Sequence, residues 1–182
     1  MTLFANFKIY LLNRKSKQFT ARKARKVSLK EFKNVRYVGI LFDASTEDKY
    51  RRAAHLVRHF RSLNKEVDAI GLLSAAEVPH YADVTLSFNY LKNKDVNWYG
   101  LPTASFTNDF IKKEFDLLID LNFEKEITLR YFLKSSMTHC KVGLNQGEDE
   151  VLYDFMLEGI SPKELNLFLK ELLRYLEMIK TE

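Results

Sequence analysis

Val35-Arg36-Tyr37-Val38-Gly39-Ile40-Leu41-Phe42 is a mostly apolar run of β-branched and aromatic residues, of strand length, closed by Asp43-Ala44-Ser45-Thr46. It reads as a buried strand. Behind it, Ser45 with Asp48 three residues later resembles a helix start, and Tyr50, Ala53, Ala54, Val57, Phe60 and Leu63 form one apolar stripe at helical spacing. Val67-Asp68-Ala69-Ile70-Gly71-Leu72-Leu73 then supplies a second strand. A helix between two strands forces a crossover, so the pair is expected to be parallel and right-handed. The logic recurs at Phe115-Asp116-Leu117-Leu118-Ile119-Asp120-Leu121, with a short helix over Ile127 to Lys134 and a strand over Lys141 to Leu144.

Working outward, short strands are expected over Val84 to Tyr90 and over Leu152 to Leu157. Ser161-Pro162-Lys163-Glu164 reads as a capping box with proline at the first helical position, and Leu165, Phe168, Leu169, Leu172, Leu176 and Ile179 mark the buried face of a closing helix. The expected fold is a three-layer, Rossmann-like α/β domain over residues 35–182, with a mainly parallel sheet of five or six strands. A basic helical arm, residues 1–34, precedes it. Within the arm, Leu3, Phe4, Phe7, Tyr10 and Leu11 have the spacing of an amphipathic helix. From Arg14 to Lys26 the chain is dominated by cations, and self-repulsion favours an extended or conditionally helical linker.

The charge is divided unevenly. Residues 1–36 hold eleven Lys/Arg and one acidic residue, whereas the other 146 hold eighteen Lys/Arg and twenty-three acids. Such a split points to an arm that meets something anionic beside a body that folds by itself. With 182 residues and 46% hydrophobic content the chain can bury one domain's core, and fourteen Phe and nine Tyr supply large apolar volumes. A lone cysteine, Cys140, excludes an internal disulfide. The start Met1-Thr2-Leu3-Phe4-Ala5-Asn6-Phe7-Lys8 lacks the order of a secretory signal, so a cytoplasmic address is expected. No apolar run approaches the roughly 18 residues that span a bilayer, which leaves only peripheral contact with an inner membrane as a membrane role.

Phe115-Asp116-Leu117-Leu118-Ile119-Asp120-Leu121, the helix with Leu129-Arg130-Tyr131-Phe132-Leu133-Lys134-Ser135, and Lys141-Val142-Gly143 together resemble a segment of heptosyltransferase-type (GT-B) glycosyltransferases, in their amino-terminal Rossmann-like half. The resemblance covers about thirty residues and implies the fold. It does not imply the activity: Asp43-Ala44-Ser45-Thr46 replaces the glycine-containing turn of those enzymes, and the sequence ends before a nucleotide-sugar domain. As a whole the chain is similar to small bacterial proteins grouped as a family of unknown function, through the basic start, the strand before Asp43 and the aromatic turn Asn97-Trp98-Tyr99-Gly100. That resemblance implies no activity.

Candidate sites each have a structural counterpart. The amides and hydroxyls of Ser45 and Thr46 after Asp43 suit an anion, or else cap the helix. Asp43 and Asp120 end two strands where open α/β sheets place ligands, and could pair over the sheet edge, or each bond to its own loop. His55 and His59 have i, i+4 spacing, but Arg51, Arg52 and Arg58 surround them, so no metal is expected. His139 and Cys140 are adjacent on a strand and point to opposite faces, which argues against an activated thiol. Trp98 stands among Tyr81, Phe88, Tyr90, Tyr99 and Phe106 with interleaved Asn and Lys, a composition that can stack on bases or cover a sheet edge.

No motif carries a reaction, and no cofactor is expected. The leading expectation is a non-enzymatic binding protein whose arm, through Arg14, Lys15, Lys17, Arg22, Lys23, Arg25 and Lys26, contacts RNA or another polyanion. One alternative is attachment to an anionic membrane surface through Phe4, Phe7 and Leu11. Another is a nucleotide- or phosphosugar-binding domain, or small enzyme, using Asp43, Ser45, Thr46, Asp120 and Trp98.

Overall fold

A computed structural model describes residues 2–20, 25–74, 78–86, 88–124, 126–145, 152–161 and 163–180. Its strands are β1 (Tyr37–Asp43), β2 (Glu66–Leu72), β3 (Asn89–Leu91), β4 (Leu117–Asp120), β5 (Cys140–Leu144) and β6 (Phe155–Leu157). Its helices are α1 (Thr2–Thr20), α2 (Glu47–Ser62), α3 (Phe106–Lys112), α4 (Ile127–Ser135) and α5 (Leu165–Met178).

All six strands run parallel in the order β3-β2-β1-β4-β5-β6. β1 is central because its residues from Val38 to Phe42 are buried on both faces, as a strand covered by helices on two sides must be. Strand alternation sends Val38, Ile40 and Phe42 into a core with Ala53, Val57 and Phe60 of α2 and Phe168 and Leu172 of α5. Leu41 points the other way, to Phe110 of α3, Phe132 of α4 and Leu12 of α1. The result is a three-layer α/β fold. Between β1 and β4 the winding reverses direction, with β2 and β3 to one side and β5 and β6 to the other, which is the switch point of such sheets.

Several elements differ from their sequence reading. α1 continues to Thr20, through the stretch expected to be extended or only conditionally helical. Packing explains it: α1 lies against α4, Leu12 and Ser16 are buried, and Lys134 Nζ donates to Asn13 Oδ1. Its inward side therefore holds Leu12 and Ser16, while Phe7 and Tyr10 face solvent; the side chains of Leu3 and Phe4 lie outside the described residues. The strand expected over Val84 to Tyr90 divides into a 3-10 turn at Val84–Leu86 and the short β3. Asp83 causes the break by accepting from the amide and hydroxyl of Thr85, which bends the chain locally. The capping-box contacts form, Ser161 N to Glu164 Oε2 and Lys163 N to Ser161 Oγ, yet α5 begins only at Leu165. Pro162 lies outside the described residues. α3, in the middle segment, had no sequence prediction.

Residues 25–36 run beneath the amino-terminal edge of the sheet. Arg25 forks onto Asp154 with two 2.6 Å bonds and also donates to the carbonyl of Thr138, and Ser28 N donates to His139 O. Lys65 Nζ donates to the carbonyls of Phe32 and Val35 and sits 4.2 Å from the Phe32 ring centre. These bonds tie the segment to the starts of β2, β5 and β6.

Candidate functional site

The carboxyl edge of the sheet is built first by Asp43. Its carboxylate accepts from Ser45 N (2.7 Å) and from Lys49 Nζ, and Lys49 also reaches Glu124 Oε1 at 3.1 Å. Burial opposes charge on Asp43, but Lys49 and the Ser45 bonds outweigh it and hold its pKa below the ordinary carboxylate value. Lys49 also loses by burial, and Asp43 and Glu124 together raise its pKa. Thr46, not Ser45, is the N-cap of α2, with its hydroxyl accepting from Lys49 N. Ser45 instead donates its amide to Asp43. The first turn of α2 is thus capped internally and carries Glu47 and Asp48.

Asp120 has different partners. β1 and β4 are neighbours with Leu41 opposite Asp120, which leaves Asp43 two residues farther along. The Asp120 carboxylate is buried and accepts from Tyr153 Oη (2.7 Å) and Asn122 N (2.9 Å). Tyr153 reaches it by crossing over Gly143, where an added Cβ would come within 2.3 Å of the ring. Each aspartate therefore has its own loop partners, and among the described residues no group of three or more His, Cys, Asp or Glu is arranged to hold a metal.

Between these loops, at the β1/β4 switch point, lies a cleft of about 380 Å³. Lys49 and Arg52 of α2 and Lys163 ahead of α5 line it, over a wall of Leu121, Phe123 and Leu165. Asp43, Asp48 and Glu124 also border it. Sequence reasoning found Asp43 but missed the cations, because they come from separate segments that only the fold brings together.

Trp98 sits at the tip of a tight loop. Asn97 Oδ1 accepts from the amides of Tyr99 and Leu101, Gly100 N donates to Asn97 O, and Gly100 adopts φ 91°, which a side chain would strain. Thr128 Oγ1 donates to the Gly100 carbonyl and pins the loop to α4. The indole is 64% exposed and stacks on Phe7 of α1, with ring centres 6.2 Å apart and planes 20° from parallel. Phe7, Tyr10, Arg14 and Lys17 are exposed at i, i+3, i+7 and i+10, so one side of α1 presents two aromatics followed by two cations. Periodicity contains the aromatic half of this stripe, but which way it faces depends on the docking of α1 on α4.

The remaining basic candidates separate. Lys15 is exposed on α1 and Lys26 in the segment that follows. Arg25 is committed to Asp154, and Arg22 and Lys23 lie outside the described residues. Of the other reactive groups, Cys140 is buried and its thiol is pushed up to about 12 by burial, then by Asp154. His139 Nδ1 lies 2.9 Å from the Lys26 carbonyl, and His59 Nε2 is buried with no hydrogen-bond partner among the described residues. No helix among the described residues is long and apolar enough to cross a membrane.

A family described as one of unknown function (DUF6913) matches residues 8–179. No curated protein and no solved structure matches the chain.

Proposed function

Because this chain belongs to DUF6913, a family of unknown function, its membership supplies no activity, and we propose from the surface of α1 that it is a non-catalytic protein that binds single-stranded RNA. The observation that carries this proposal is the continuity of the exposed Phe7–Trp98 stack with Arg14, Lys15 and Lys17 on one helix. Bases stack on aromatic rings while phosphates meet cations, so a surface that presents aromatics beside cations suits a single strand without requiring a particular sequence. Docking on α4 holds the helix in place, which lowers the ordering cost of binding. Attachment to an anionic membrane is less well supported. It would use Phe4, Phe7 and Leu11 as an inserted apolar face, and Leu11 is half-buried against the fold.

The test uses the full chain and a uridine oligomer, with affinity measured by fluorescence anisotropy across a salt series. Log affinity should fall linearly with log salt. The triple variant Arg14→Glu, Lys15→Glu, Lys17→Glu should make the slope shallower by about 2, from a contribution of about 0.7 per phosphate contact. Trp98→Ala should weaken binding about 5- to 100-fold while leaving the slope alone, since it removes stacking rather than charge. Salt-independent affinity, or binding to phosphatidylserine vesicles with no RNA binding, would overturn the proposal.

A further inference from the structure

We infer that the cleft at the β1/β4 switch point binds a small phosphate ester carrying a flat aromatic ring, at a site independent of the α1 surface. In open parallel sheets the loops diverge where the winding reverses and leave a crevice beyond the strand ends. Here that crevice is a cavity of about 380 Å³, within the range of small-molecule sites.

Charge selects the ligand. Lys49, Arg52 and Lys163 enter the cleft from two parts of the chain that are far apart in sequence. Lys163 Nζ has no partner among the described residues. Arg52 is held by Asp48 in an i, i+4 pair whose carboxylate is 68% exposed, and the Glu124 carboxylate on Lys49 is 69% exposed. Both acids can swing into water when a phosphate replaces them. Asp43 stays: its bonds to Ser45 N and Lys49 Nζ fix the back of the cleft. Because Thr46 already caps α2, the phosphate is held by side-chain cations and not by free helix amides.

The opposite wall selects the rest. Leu121, Phe123 and Leu165 form an apolar surface, and Phe123 is braced edge-on by Phe168 with ring centres 5.0 Å apart. A flat ring lies against that wall while its phosphate reaches Arg52 and Lys163. The Asn122 side chain is already bonded to the Glu124 backbone in both directions, so it shapes the loop and does not read the ligand.

The experiment is calorimetric titration of the full chain with adenosine monophosphate, with inorganic phosphate and adenosine as separate arms. Saturable binding of the monophosphate, tighter than either arm, is expected. Arg52→Gln with Lys163→Gln should weaken it about 10- to 100-fold by removing two charge-assisted contacts. Those side chains lie at the surface, and an unchanged apo melting temperature would show that the variant is folded. The Arg14, Lys15 and Lys17 charge reversal should leave monophosphate affinity unchanged, which separates failure of this site from failure of the RNA surface. No saturable binding of the monophosphate at millimolar concentration, equal affinity in the Arg52/Lys163 variant, or inorganic phosphate binding as tightly as the monophosphate would overturn the assignment.

Discussion

Asp116 is 4% exposed, and its carboxylate accepts from Lys30 Nζ at 2.5 Å, from Arg36 N at 2.7 Å and from Tyr37 N at 3.0 Å. One side chain thereby joins the entering segment and the start of β1 to the start of β4. Burial alone would raise its pKa, but Lys30 and the two amides prevail and hold it below the ordinary value. A carboxylate whose folded pKa lies below its unfolded one stabilises the fold above the unfolded value, about 3.9, and loses that contribution as pH falls through the folded pKa. Urea unfolding from pH 7 to pH 3 should therefore show stability falling below about pH 4. Asp116→Asn should cost about 1.5–3 kcal/mol at pH 7, the worth of hydrogen bonds to a charged acceptor, with the half-exposed Lys30 adding little. The variant should also have a shallower acid limb. It will keep some of that limb, because Asp43 and Asp154 are shifted in the same direction. An acid limb as steep as that of the wild type would remove Asp116 from this role.

Among the elements, α1 depends most on tertiary contacts. Its cations repel one another, so what keeps Arg14 to Thr20 helical is the α4 contact around Leu12, which is 2% exposed. Leu12→Ala should cost about 2–4 kcal/mol, the usual range for a buried leucine truncated in a core that relaxes only partly; a urea midpoint within error of wild type would contradict the docking. The same dependence explains what could be read in advance. β1, β2, β4 and β5 were legible because a strand covered on both faces is a continuous apolar run, and α2 and α5 because each has one apolar stripe. β3 and β6 span three residues each at the sheet's edges, so the strands expected over Val84 to Tyr90 and over Leu152 to Leu157 are present but shorter than the sequence suggests, and α3, of seven residues, is too short to leave a helical pattern. The inward side of α1 is not marked by the stripe of Leu3, Phe4, Phe7, Tyr10 and Leu11, because Leu12 with Ser16, which are the buried pair, gives a weaker periodic signal. At the site, Asp43 and Asp120 were legible as strand ends. Lys49, Arg52 and Lys163 were not, because a cleft between loops leaves no local spacing to detect.

Across the whole molecule, the sheet has an apolar core on each face, and the segment from Arg25 to Arg36 ties the amino-terminal edge together. Detaching α1 exposes one core, and melting the strands removes its support, so the helix and the sheet should unfold as a unit. Trp98 reports on this directly. It is the only tryptophan and it stacks on Phe7, so its emission follows α1 while far-ultraviolet circular dichroism follows all the helices and strands. In the wild type the two urea transitions should coincide, as they must for a two-state domain. Arg25→Ala removes the fork onto Asp154 and the donor to Thr138 O, and leaves the Asp154 carboxylate with only the Lys141 amide as a partner among the described residues. The link from α1 to β5 and β6 is then weakened while both cores remain intact. In that variant the Trp98 transition should move to lower urea than the circular dichroism transition, because the α1 layer can now open before the sheet melts. Coincident transitions in Arg25→Ala would mean that packing on α4 alone couples α1 to the sheet, and a split already present in the wild type would mean that the two never formed a single cooperative unit.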